Sequence, residues 1–258
     1  MTAAGFYAWL HRPESAHAKQ DRVLTAEITR LFHRHKERYG SPRIYQLLVN
    51  AGWSVSRRRV ARLMRATGFR AKAVRGYRAK VTIHQLYARH PNRLWATRVT
   101  GPNQVWVGDV TFLKVGSTWR YLTIVMDQYS RRVLAWTLTR RRTAAVTGAA
   151  LALAACQRPA GGVIFHSDRG SEYMGAAFCA QVAQLGMLQS ASVRGPGDNA
   201  YAESFFHSLK AELTRGVRFP TERRLRIALQ QYIQYYNTIR LHSGLQYLSP
   251  LAFERRTA

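Results

Sequence analysis

Acidic residues are what this sequence is shortest of. Only 13 Asp and Glu stand against 40 Lys and Arg in 258 residues, a formal charge of +27, and none of the 13 falls between Arg38 and Gly108, a span carrying 15 Lys and Arg. A chain so charged repels itself unless a polyanion neutralises it, which points to nucleic acid. An anionic membrane is the other candidate, but no amphipathic anchor or lipidation motif accompanies the charge. Long apolar runs are also missing. The longest, Ala144 to Cys156 with Thr147 inside it, falls short of the roughly 20 residues of a membrane span and predicts a buried helix. Met1 to Leu10 lack the charged start and long apolar stretch of a secretory signal, so a cytoplasmic location is expected. The two cysteines, Cys156 and Cys179, have no partner pair at metal-finger spacing. A disulfide framework and structural zinc are thereby unsupported, and both are expected to be buried thiols. There is no Gly-Lys-Ser or Gly-Lys-Thr phosphate loop, so no ATP requirement is expected.

The length suits one main domain with an appendage. Residues 1–69 read as a helical region. Tyr39-Gly40-Ser41-Pro42-Arg43-Ile44 supplies a turn and a helix start, with Ile44, Leu47 and Leu48 at helical spacing up to a stop near Gly52. A second helix follows, with Ser56 as N-cap, Val60, Leu63 and Met64 as its apolar face and Gly68 at its end. The pair reads as helix-turn-helix. Arg57, Arg58 and Arg59 crowd its first turn, where the helix dipole disfavours cations by about 0.3–1 kcal/mol each. Arg58, Arg62 and Arg65 recur along one face, so phosphates would offset the cost, although a solvated Arg-rich face fits the same pattern. Arg70 to Pro102 is basic and poorly periodic, an expected linker at 70–102.

From residue 103 to 258 the pattern changes. Gln104–Lys114, Trp119–Ser130 and Arg131–Thr139 are strand-like, with a turn at Gly116-Ser117. A helix over Thr143–Cys156, a strand at Gly162–Phe165, a helix over Ser171–Leu185 and a strand at Leu188–Ser192 follow. This order predicts an α/β domain with a mixed sheet flanked by helices.

With acids so scarce, each one in this domain needs an account. Asp109 lies within the first strand, Asp168 directly follows the fourth, and Glu203 sits on a later helix with Lys210 two turns on, on the same face. Taken singly, each carboxylate is more often a structural ion-pair member than a ligand. Together, a strand Asp, a strand-end Asp and a helix Glu can converge on one sheet edge. They would give oxygen-only ligation suited to Mg²⁺ or Mn²⁺. Two such ions can drive in-line phosphoryl displacement. Asp127 is expected to make a polar contact only, Asp198 and Asn199 to cap the Glu203 helix, and His166 to lend support from the neighbouring strand position. His33 and His35 lack partner cysteines for zinc.

Asp109, Asp168 and Glu203, the last two with 34 residues between them, resemble the DDE pattern of retroviral-type integrases and insertion-sequence transposases. His166-Ser167-Asp168-Arg169-Gly170-Ser171-Glu172-Tyr173, the Asp198 to Phe206 block, and Tyr235-Tyr236-Asn237 with Arg240, His242, Leu245, Ser249, Pro250 and Phe253 resemble the second-frame product of the IS-three family. So does the Tyr39–Ile44 stretch with its helix. Gly197 departs from the aromatic residue common there. The resemblance implies an RNase H-like five-stranded core, two divalent ions held by Asp109, Asp168 and Glu203, and Lys210 on the transposon end. It further implies terminal-repeat and target DNA as partners, a homo-oligomer pairing the ends, and a first-frame partner or fusion. A same-fold nuclease or resolvase, a tyrosine recombinase using Arg240 and His242, and a non-catalytic repressor are the rivals.

Overall fold

The computed structural model describes residues 2, 7, 14–72, 90–193 and 199–257. The chain forms two compact units, 1–73 and 74–258. Most of the expected linker, residues 73–89, lies outside the described residues, as do Gly197 and Asp198.

The first unit packs α1 (Ala16–Arg34), α2 (Ser41–Asn50) and α3 (Arg57–Ala66). Pro42 lies in the first turn of α2, where its missing N–H costs nothing. The Ser56 hydroxyl accepts from Arg59 N at 3.2 Å and caps α3. Gly52 and Gly68 end the second and third helices in the left-handed region, at φ 84° and 73°. Leu24, Ile28, Leu31 and Phe32 of α1 close over Ile44, Leu48, Val60, Leu63 and Met64.

The second unit is built on β1 (Val105–Val115), β2 (Thr118–Asp127), β3 (Val133–Thr139), β4 (Ile164–Ser167) and β5 (Leu188–Ala191). Their order is β3-β2-β1-β4-β5. The first three pair antiparallel, while β4 runs parallel to both β1 and β5. Helices α4 (Ala144–Ala155), α5 (Ser171–Met174), α6 (Ala176–Gln184), α7 (Ala200–Leu209), α8 (Glu222–Thr238) and α9 (Pro250–Thr257) surround it. One sheet face buries Val105, Val107, Leu113 and Ile124 with Phe205, Leu209, Leu229 and Tyr232 of α7 and α8. The other buries Trp106, Val125 and Phe165 with Leu151, Phe178 and Val182 of α4 and α6. Among the described residues no helix is long and apolar enough to cross a membrane.

Three expectations shift. The helix expected over Ser171–Leu185 breaks at Gly175, whose extended backbone (ψ 144°) ends α5 and caps α6. β4 starts two residues late because Gly162 turns at φ 78°, so His166 and Ser167 are strand residues and Asp168 is the first beyond it. Cys156 is exposed rather than buried, because it caps α4 beyond its core-facing turns, and Cys179 is half-buried. Within 90–102, the 3-10 turn Arg93–Ala96 lies along β5, where Arg93 N donates to Ser190 Oγ at 3.0 Å.

Candidate active site

Asp109 stands on β1 where that strand still pairs with β2, opposite Ile124, but has already run past β4, which pairs only with 105–107. Asp168 directly follows the adjacent parallel strand. Two parallel neighbours thus deliver both carboxylates to one sheet edge. Each is fixed locally: Val110 N donates to Asp109 Oδ1 at 2.7 Å, and Gly170 N to Asp168 Oδ1 at 2.9 Å. Glu203 arrives on α7, which Asn199 ties to the sheet. Its Nδ2 donates to the Gly108 carbonyl at 3.0 Å, one residue before Asp109. Glu203 follows Asn199 by one turn on the same helix face. Asn199 makes no side-chain capping bond, so the expected cap is instead a tether. Gly108 cannot be replaced cheaply, since a Cβ there would fall 2.4 Å from Phe165 Cζ.

The electrostatics show what converges. Burial, then the charges of Asp168 and Glu203, push the Asp109 carboxyl up to about 7 against the Val110 N–H and Arg142. Burial also raises Asp168 and Glu203, and lowers Lys210, whose ammonium the Asp109 charge favours. Asp109 feels the charges of both other carboxylates, and its own charge is felt at Lys210. Among the described residues, no three His, Cys, Asp or Glu side chains close into a single ligand cage.

The raised Asp109 makes a stability prediction. The folded protein keeps that proton up to about pH 7, whereas the unfolded chain releases it near the usual value of 3.8. The metal-free protein therefore loses stability as pH rises between those limits. Asp109→Asn removes this loss and is expected to stabilise the metal-free protein at pH of about 8 by roughly 1–3 kcal/mol, with little effect near pH 4. Urea unfolding at both pH values checks it, and parallel pH profiles for the two proteins would show that Asp109 ionises freely.

Sequence reasoning gave no role to Arg142, Glu172 or Tyr173. Arg142 Nε donates to Glu172 Oε1 at 2.5 Å, and its Nη2 lies 3.9 Å from Asp168 Oδ2. Glu172 is buried and Arg142 half-exposed, so a fixed carboxylate holds a guanidinium at the mouth of the site. The Tyr173 hydroxyl is buried without a hydrogen-bond partner among the described residues and feels the charges of both Asp109 and Asp168. Carboxylate oxygens at one sheet edge, where Asp109 feels the charges of Asp168 and Glu203, have the chemistry that suits a hydrated divalent cation.

The remaining candidates divide cleanly. Asp127 is fully buried and accepts from Asn103 N, Ser130 N and Ser130 Oγ, a polar contact that holds a turn. His166 bridges β4 to β5, its Nδ1 2.9 Å from Ser190 Oγ and its Nε2 3.2 Å from Ser192 Oγ. In the other unit, Arg57, Arg58, Arg62 and Arg65 are all exposed. Arg62 nevertheless shares Asp21 of α1 with Arg59, at 2.5 and 2.7 Å. Arg240, the residue a tyrosine recombinase would need on phosphate, is buried against Glu212.

Family models match along most of the chain: an HTH-like domain over residues 19–77, and integrase core domains over 99–196 and 203–257. The transposase for insertion sequence element IS904 of Lactococcus lactis subsp. lactis is 35% identical over 95% of this chain and 99% of its own. Transposase InsF for insertion sequence IS3A of Escherichia coli K12 is 36% identical over 99% of this chain and 91% of its own. Among solved structures, the HTLV-2 integrase catalytic core domain in complex with magnesium has TM-score 0.51 at 17% identity, covering 61% of this chain and 99% of that one. The simian T-cell lymphotropic virus intasome with its PP2A regulatory subunit partner has TM-score 0.53 at 15% identity, over 88% and 74%. With relatives this similar over nearly its whole length, and an integrase-type core behind a helix-turn-helix, the chain belongs to the IS3 family of insertion-sequence transposases.

Proposed function

We propose that Asp109, Asp168 and Glu203 are the metal-holding catalytic residues of this transposase, with two Mg²⁺ or Mn²⁺ ions per site. The observation that carries this reading is the sheet edge itself, where Asp109 on β1 and Asp168 just past the parallel β4 come together and Asn199 ties the helix of Glu203 to Gly108. Divalent ions bound there would neutralise the phosphate and acidify the attacking water or hydroxyl. The protein's own groups orient the DNA. Lys210 meets the phosphates of the transposon end, and Arg142, braced by Glu172, stands beside Asp168 and faces the incoming strand. Water first frees a 3′ hydroxyl at the element end, and that hydroxyl then attacks a second phosphodiester in line. No bond forms between protein and DNA. Joining by purified protein in Mg²⁺, lost in EDTA, is expected. Cleavage without joining would favour a nuclease or a missing first-frame partner, and a covalent adduct surviving EDTA would overturn the metal mechanism.

The unit at 1–69 positions the core at 103–258 on the terminal repeats through the linker 70–102, in a cytoplasmic, nucleoid-bound multimer that pairs the ends. Arg57, Arg58, Arg62 and Arg65 follow the phosphates. Arg58→Ala is expected to weaken DNA binding and to reduce the salt-dependence slope by about 0.9, one phosphate contact. Arg62→Ala should do the same and also leave Asp21 with only Arg59 of its two arginine partners, slightly lowering the first unit's melting temperature. Titrations at several salt concentrations test both, and an unchanged Arg58→Ala slope would return that face to plain solvation.

A further inference from the structure

The hairpin of β1 and β2 carries an aromatic surface that sheet packing does not use. Phe112 and Trp119 are 55% and 50% exposed, and their rings meet edge to face with centroids 5.1 Å apart. Lysines bracket them: Lys114 Nζ lies 5.9 Å from the Trp119 ring centroid, and Lys210 Nζ 4.9 Å from that of Phe112. Neither lysine makes a salt bridge among the described residues. The hairpin is also held stiffly. Gly116 N at the tip donates to Phe219 O at 2.9 Å. Arg120 donates from Nε to Glu222 Oε2 at 2.6 Å and from Nη1 to the Trp119 carbonyl at 2.9 Å. The rings are presented by a fixed support, not left outside by a loose loop.

Their position is informative. Phe112 is three residues along β1 from Asp109, roughly 10 Å of strand, and although that odd spacing turns the two side chains to opposite faces, Lys210 links them, its ammonium lying over the Phe112 ring and feeling the Asp109 charge. We infer that this hairpin receives unpaired nucleobases of the DNA strand held at the carboxylates, with Trp119 and Phe112 as stacking platforms and Lys114 and Lys210 on the flanking phosphates. Flat π faces interleaved with cations suit a polyanion whose bases are exposed, since stacking is indifferent to sequence and the lysines follow the backbone. An ordinary apolar protein partner would bury two unpaired lysines at a cost. The inference rests on DNA lying at Asp109, and its test separates the two.

The full-length protein in EDTA is titrated with a fluorescent, fully paired duplex and with the same duplex bearing an unpaired oligothymidine tail that contains 2-aminopurine. Wild type is expected to bind the tailed duplex about ten-fold more tightly and to quench the 2-aminopurine. Trp119→Ala should lose both effects while keeping its affinity for the paired duplex, and Trp119→Phe should retain most of the preference. Phe112→Ala gives an independent reading if thermal melting shows Trp119→Ala to be misfolded. A tail preference that survives both alanine variants, or is absent from wild type, overturns the stacking role while paired-duplex binding still stands. Failure of wild type to bind either duplex would overturn the DNA reading along with it.

Discussion

Asp168→Ala is expected to lower joining of element-end DNA by at least about 10³-fold while leaving affinity for that DNA unchanged. Asp168 is held by the Gly170 N–H at the edge of β4, beside Asp109 and within 3.9 Å of the Arg142 guanidinium. Its removal leaves the rest of the sheet edge intact but takes away one of the three oxygen ligands proposed here. Glu203→Gln, which keeps size and removes charge, should match it. Gel-resolved strand transfer gives the activity and titration in EDTA gives the affinity. Joining retained within ten-fold would take Asp168 out of the metal site, and a parallel loss of affinity would make it a DNA contact. Asp127→Asn is the control. That acid is more deeply buried, but its described partners are Asn103, Ser130 and, at 4.0 Å, Arg158, so its change should lower stability and spare the chemistry of folded molecules.

The largest loss of stability is expected from Arg240→Met, roughly 3–5 kcal/mol. Arg240 and Glu212 form an ion pair with side chains 6% and 4% exposed. Glu212 also accepts from Tyr232 Oη at 3.1 Å, and Arg240 Nη2 donates to Ser208 Oγ at the same distance. Losing the guanidinium strands a buried carboxylate. It also loosens the π turn Lys210–Thr214 that carries both Glu212 and Lys210. Glu212→Leu combined with Arg240→Met should recover most of the loss, because no lone charge then remains inside. Urea unfolding of the second unit tests both variants. A cost below about 1 kcal/mol for Arg240→Met would mean that water reaches the pair, as at exposed salt bridges.

What the sequence made legible follows from how each signal is encoded. The core strands could be placed because β-branched and aromatic residues cluster between turn residues, and Gly116 and Ser117 mark their hairpin plainly. The three carboxylates stood out because acids are so few that each demanded a reason. Arg142 was invisible for the opposite reason: one cation among 40 says nothing until Glu172, 30 residues away, is seen to hold it. Asn199 donates to a main-chain carbonyl 91 residues distant, and no side-chain pattern records that partner. Asp21, which ties Arg59 and Arg62, lies on a different helix about 40 residues earlier, beyond the reach of any helical-spacing rule. Helix ends were harder than helix interiors, so the break at Gly175 and the exposure of Cys156 both escaped.

The contact between Gly108 and Phe165 sets a term on how copies of such an element decay. Any change in the first or second base of a glycine codon either stops the chain or installs a side chain. Here the first carbon of that side chain would collide with an aromatic ring in the core. A copy in a genome therefore has a small, fixed target for damage to the core that lies outside the three carboxylates proposed as the site. Its sequence would still show Asp109, Asp168 and Glu203 intact. A changed codon before Asp109 would therefore mark a damaged core in a copy whose three carboxylates still read intact.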